Sequence, residues 1–120
     1  MQRKTLVLGA SSNPDRYAYK AIKMLLANQH SVLAVGARED TIDGLKVFKG
    51  TPDFEDIHTI TLYLGPKNQK NLYQYILNLK PKRIIFNPGT ENRELMNLAL
   101  EQNIHVEEAC TLVLLSTGQY

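Results

Sequence analysis

Near the start of the chain, Gly9-Ala10-Ser11-Ser12-Asn13-Pro14 has the composition of a loop that handles anions. Glycine lets backbone approach a ligand closely or take a positive φ at no steric cost, and Ser11, Ser12 and Asn13 add side-chain donors for anionic oxygens. What flanks the loop matters as much. Leu6, Val7 and Leu8 form an apolar run of strand type, and from Tyr17 onward Ala18, Ile22, Leu25 and Leu26 recur at the spacing of a one-faced amphipathic helix. A strand, tight loop and helix put the loop at the carboxyl edge of a parallel strand. They also turn the positive end of the helix back onto it, a geometry that binds phosphate. The loop is not the dinucleotide fingerprint, whose second and third glycines are missing, nor a P-loop, since no Gly-Lys-Ser/Thr follows. The same residues also suit an ordinary turn in which Ser or Asn caps the helix.

Other residues bear on the chemistry. A second apolar run, Ser31 to Gly36, ends in Gly36-Ala37-Arg38, where an NAD site would want an acidic residue for the ribose. The Arg38 guanidinium instead favours a ribose phosphate, as in NADP or the 3′-phosphate of coenzyme A, unless it is simply a solvated loop residue. A third small loop, Pro88-Gly89-Thr90, follows the apolar run Arg83 to Phe86. His30, His58 and His105 stand before strands, away from the edge where ligands bind, and no spacing of His, Cys or carboxylates suits a metal. No catalytic residue is therefore assigned, and the chain reads as a binding module and not an enzyme. The cluster Lys80, Lys82 and Arg83 precedes a strand and reads as a solvated edge.

The elements that position these residues follow from the rest of the sequence. With 120 residues, 43% hydrophobic and 22% charged, the chain suits one globular domain over 1–120. A formal net charge of +2 gives no basis for nucleic-acid binding, and no apolar stretch nears the length of a membrane span. One cysteine cannot form an internal disulfide, so the cytoplasm is the expected compartment. Five strands are expected: Leu6–Leu8, Ser31–Gly36, Ile60–Leu64, Arg83–Phe86 and Ile104–Val106. Ile42 to Phe48 reads as a loop with an extended piece at Lys46 to Phe48, and Asp53 to Ile57 as one helical turn. Helices are expected from Tyr17 to about Asn28, from Asn68 to Leu79, and from about Glu91 to Gln102 with Thr90 as cap; an apolar tail runs from Thr111 to Leu115. Alternation of this kind gives an α/β fold, a Rossmann-like open parallel five-stranded sheet of order 3-2-1-4-5 with helices on both faces. Its ligand crevice would lie at the switch between the first and fourth strands, with the Gly9 and Gly89 loops facing each other. A β-branched residue at Gly9 is then expected to block the approach of phosphates.

Gly9, Ala10, Ser11, Pro14, Arg16 and Tyr19, followed by Val-Leu-Ala-Val-Gly, by Asn-Pro-Gly-Thr-Glu-Asn and by the lone Cys110, resemble the small stand-alone CoA-binding proteins. Their domain is similar to the amino-terminal, CoA-binding part of the alpha subunit of succinyl-CoA synthetase. The resemblance spans nearly the whole chain. It implies coenzyme A or an acyl-CoA as ligand and a carrier, sensor or regulatory module; the alternative, resting on Arg38 and not on the resemblance, is an NADP-binding oxidoreductase or other dinucleotide-binding module. It also implies that Gly9, Ala10, Ser11, Ser12, Arg16 and Lys20 hold the pyrophosphate and nucleotide, next to Gly36 and Arg38. Tyr63, Leu64 and Pro66, with Pro88, Gly89 and Thr90, would line the adenine and pantetheine path. Cys110, otherwise a small buried hydrophobe, stands where a pantetheine thiol could form a mixed disulfide. Two departures bear on this: relatives often carry Asn-Pro where Gly36 and Ala37 stand, and the usual Asp-Arg before the cysteine is absent.

Overall fold

Leu6, Leu8, Ile60, Leu62, Ile84 and Phe86 alternate along three neighbouring strands and are almost completely sealed from water. They form the centre of the computed structural model, which describes residues 2–120. Among those residues, seven strands make one sheet: β1 (Thr5–Ala10), β2 (Val32–Gly36), β3 (Asp40–Ile42), β4 (Leu45–Lys49), β5 (Thr59–Leu62), β6 (Arg83–Phe86) and β7 (His105–Glu108). Their spatial order is β3-β4-β2-β1-β5-β6-β7. Every neighbouring pair is parallel except β3 on β4. The helices are α1 (Tyr17–Ala27), α2 (Pro66–Gln69), α3 (Tyr73–Asn78), α4 (Arg93–Glu101) and α5 (Thr111–Ser116), with a 3₁₀ turn at Lys70–Leu72.

Alternation along the strands sorts side chains between two layers. Leu6, Leu8, Leu62 and Phe86 meet Ile76 of α3 and Leu95 and Ala99 of α4 on one face. Val7, Ala34 and Val47 meet Ile22 and Leu25 of α1 and Leu115 of α5 on the other. Helices thus cover both faces, and β5 and β6 are buried at every residue, Thr59, Thr61 and Arg83 included. Each buried Leu or Ile in these layers contributes roughly 1.5–3 kcal/mol through removal of apolar surface from water.

The Rossmann-like α/β class holds, with corrections. The segment read as a loop is a β-hairpin: Asp43 and Gly44 both take positive φ (49° and 82°), and Ile42 pairs with Leu45 across them. That is the two-residue turn that matches strand twist, and Asp-Gly is its sequence signal. Through this hairpin β4 takes the place beside β2 that the five-strand order assigns to Ile60–Leu64. The latter, as β5, pairs directly with β1, so the sheet has seven strands and its switch lies between β1 and β5. The expected helical turn at Asp53 to Ile57 is irregular chain, whose Phe54 ring meets Phe48 edge-on at 5.5 Å while Ile57 is buried. The expected Asn68–Leu79 helix starts earlier, with Pro66 at its first position, where a missing N–H costs nothing, and is broken by the 3₁₀ turn. Asn92, not Thr90, caps α4, its Oδ1 accepting from the Leu95 amide at 3.2 Å. The apolar tail is a helix, α5. No helix of the described residues is long and apolar enough to cross a membrane.

Candidate functional site

Two glycines bring three strand ends together. At Gly9 the β1–β2 register slips, from Leu8 opposite Val35 to Ala10 opposite Gly36, and Gly9 takes a φ of +94°. A Cβ there would lie 2.8 Å from the carbonyl carbon and 2.9 Å from the oxygen of Tyr63, at the end of β5. A Cβ on Gly36 would lie 2.4 Å from the Ala10 oxygen. Both glycines therefore serve close passage of backbone past backbone. The Gly9 side-chain direction points at β5, a correction to the expectation that a Cβ would fill a phosphate approach.

Above this floor opens a cleft of about 910 Å³. One wall is the loop from β1 to α1. Ser11 Oγ accepts from the Asn13 amide at 3.1 Å and Asn13 Oδ1 from the Asp15 amide at 3.0 Å, so the loop is held by its own side chains. The amides of Ser11 and Ser12 have no acceptor among the described residues. At the start of α1 the extended residue Arg16 supplies no side-chain cap. The first-turn N–H groups thus face the cleft with the positive end of an eleven-residue helix behind them.

The opposite wall comes from the chain after β5 and β6, and one amide ties it together. Gln69 is fully buried. Its Nε2 donates to the Leu64 and Thr90 carbonyls, both at 2.8 Å, and its Oε1 accepts from Asn92 Nδ2 at 2.9 Å. Asn87 fixes the end of β6 in the same way: Nδ2 donates to Thr61 Oγ1 (2.6 Å) and the Leu62 carbonyl (2.8 Å), and Oδ1 accepts from the Thr111 amide at 2.9 Å. The Tyr63 hydroxyl is buried without a partner among the described residues, and burial pushes its pKa up to about 12.

At the β2 end stand Arg38 and Asp40. Asp40 accepts from the Ser12 hydroxyl and, at 2.8 Å, from the Thr41 amide. Those two hydrogen bonds, then the nearby Arg38 charge, hold its carboxyl below the usual carboxylate range. Neither Arg16 nor Arg38 is in an ion pair among the described residues.

Of the residues singled out from sequence, Gly9, Ala10, Ser11, Ser12, Arg16 and Arg38 line the cleft on one side, and Tyr63, Leu64, Pro88, Gly89 and Thr90 on the other. Four do not line it. Lys20 is exposed, its ammonium 5.3 Å from the centre of the Tyr17 ring; Gly36 lies beneath Ala10; Pro66 starts α2, leaving Gly65 as the wall; and half-buried Cys110 is the N-terminal flank of α5. Because the switch lies between β1 and β5, the chain directly across from the Gly9 loop is Tyr63 to Gly65, with the Gly89 loop one strand further on. Sequence reasoning missed Asp40, Val47 and Tyr17. The Asp-Gly hairpin signal would have placed Asp40 and Val47 opposite one another on paired strands.

An open, mostly parallel sheet with a cleft at its switch point defines a Rossmann-like α/β protein. The chain belongs to the family described as CoA binding domain, which it matches over residues 3–116. It is similar to a crystal structure of an uncharacterized protein, with 44% identity, 100% of this chain and 99% of the other covered, and a TM-score of 0.97. A conserved hypothetical protein from Pyrococcus furiosus shares 27% identity over 90% of this chain and 92% of its own (TM-score 0.76). A hypothetical protein from Pyrococcus horikoshii shares 27% over 93% and 80% (TM-score 0.83). No protein with a curated description matches the sequence.

Proposed function

We propose that this protein binds coenzyme A or an acyl-CoA in the cleft, as a carrier, sensor or regulatory module without catalysis of its own. The observation that carries the reading is the set of unpaired Ser11 and Ser12 amides beside the uncapped start of α1, in a member of a CoA-binding family. Backbone N–H groups and a helix amino terminus complement a pyrophosphate, and Arg16, exposed and outside any ion pair among the described residues, adds a cation to the cleft wall. The pantetheine then runs along Tyr63 to Gly65 and Pro88 to Thr90, a wall of small and apolar residues. A non-catalytic role is supported by the placing of the histidines: His30 and His58 precede β2 and β5 and His105 opens β7, all at the edge away from the cleft. Titration calorimetry with CoA, and mass spectrometry of ligand carried through native purification, test the reading. Saturable one-site binding of CoA is expected. Tighter binding of NADPH than of CoA would transfer the cleft to the NADP alternative.

A further inference from the structure

Arg38 and Asp40 present opposite charges two residues apart at one end of the cleft, and the hydroxyl of Ser12 is already committed as a donor to Asp40. A phosphate placed against Asp40 would meet a like charge and only oxygen lone pairs, since the Ser12 hydrogen points away from it. What suits the carboxylate is a group with an O–H to give. The carboxylate retains acceptor capacity for one, because two ionised oxygens offer about four lone-pair sites and the Ser12 and Thr41 bonds use two. Arg38, exposed and outside any ion pair among the described residues, suits an anion.

Resting on the CoA reading and deepening it, we infer that Arg38 and Asp40 together read a ribose that carries a phosphate on one hydroxyl and leaves the neighbouring hydroxyl free, Asp40 accepting from the hydroxyl and Arg38 binding the phosphate. The shared chemistry is a vicinal phosphate and hydroxyl. CoA carries it as 3′-phosphate and 2′-hydroxyl, NADP as 2′-phosphate and 3′-hydroxyl. Asp40 is fixed in position, its carboxylate anchored at one oxygen by the β1–α1 loop and at the other by its own strand, and β3 pairs it opposite Val47, also in the cleft wall. The role makes Asp40 a specificity residue, discriminating against ligands that lack the hydroxyl.

Adenosine 3′,5′-bisphosphate, its 2′-deoxy analogue and adenosine 2′,5′-bisphosphate are the probes, measured by calorimetry beside CoA on the parent protein and on Asp40→Asn. In the parent, loss of the 2′-hydroxyl should weaken binding about tenfold or more, as for a hydrogen bond to a charged group. In Asp40→Asn that ratio should fall to about twofold, and the deoxy analogue should bind the variant more tightly than the parent because a repelling charge has gone. A parallel change for both ligands, as a purely structural role would give, overturns the inference, as does a parent that ignores the 2′-hydroxyl while binding CoA. Failure of CoA to bind at all overturns the ligand reading and this inference with it. Preference for the 2′,5′-bisphosphate supports the vicinal site but moves it to NADP.

Discussion

The two edges of the sheet use polar groups in opposite ways. At the amino edge most are consumed internally, Arg83 Nη2 being the buried exception among the described residues. Arg83, read from sequence as part of a solvated basic cluster, is instead buried; its Nε donates to Thr59 Oγ1 at 3.0 Å and Nη1 to the Tyr120 main-chain oxygen at 2.9 Å. Its guanidinium lies 4.5 Å from the Tyr120 ring centre, and Arg3 donates to the same Tyr120 oxygen at 2.7 Å. The Tyr120 hydroxyl meets Thr5 Oγ1 at 2.5 Å, and His30 Nδ1 accepts from the Arg3 amide at 2.9 Å. At the carboxyl edge the loop amides, the α1 terminus and two arginines stay free around an open cleft, among the described residues. Positive charge alone does not mark a binding site; donors left without partners in a concave place do.

The sharpest way to break this comparison is at Gly9. Gly9→Val combines a left-handed backbone with a Cβ driven into the Tyr63 carbonyl. It should cost about 2–6 kcal/mol in urea denaturation, from strain plus overpacking. Gly89→Ala, at a φ of +91° but with nothing within 4 Å of its Cβ, should cost only about 1 kcal/mol, the backbone term alone. Equal losses would mean that close strand passage is not what requires Gly9.

Next in size is Gln69→Leu, which strips partners from the Leu64 and Thr90 carbonyls and Asn92 in a buried place. A loss of about 2–4 kcal/mol of stability is expected, with weaker CoA binding because both cleft loops are released. Stability that falls while affinity holds would show that the clamp does not shape the cleft.

The two edges separate directly in binding. Arg16→Ala should weaken CoA by about 1.5–3 kcal/mol, the range of a charge-assisted contact, and the deficit should shrink in high salt. Arg83→Met should leave affinity within about twofold while changing stability, since Arg83 serves the far edge. An effect of Arg83 on affinity matching that of Arg16 would dissolve the distinction.

Acid should loosen the amino edge first. Burial, and then the charges of Arg3 and Arg83, lower the pKa of His30 and of His58. The unfolded chain therefore binds the extra protons. The stability tied to neutral imidazole is complete above the unfolded value of about 6.5 and is lost as pH falls below it. Asp40 responds in the same direction but lower on the scale: its depressed carboxyl keeps its contribution throughout that range and loses it only as pH falls below the ordinary carboxylate value. Denaturation midpoints should decline from pH 7 to 5, and replacing both histidines with Asn should flatten that slope. The smallest effect is expected at Cys110, outside the cleft wall. Cys110→Ser should change CoA affinity less than about twofold, and intact mass after incubation with oxidised CoA tests directly for a mixed disulfide.

Local pattern alone determined the β1–loop–α1 unit and the β6 strand and marked the Gly9 and Gly89 loops, while Arg16, Tyr63 and Leu64 came from the family resemblance. An apolar run, a glycine-led turn and a 3.6-residue period report interactions within a few residues, and those are written contiguously in the chain. Which strand lies beside which was decided elsewhere. The β3–β4 hairpin took the outer place and set β5 against β1, a contest between segments some tens of residues apart that no single window contains. The same holds for the reason behind Gly9, which lies in Tyr63; for the Gln69 clamp, which joins loops after two different strands; and for the Ser12–Asp40 contact. Each depends on backbone passing within van der Waals or hydrogen-bond distance of distant chain. Only the closed tertiary structure creates such distances, so chemistry legible as residue types became a site with a direction, a charge pattern and a floor only there.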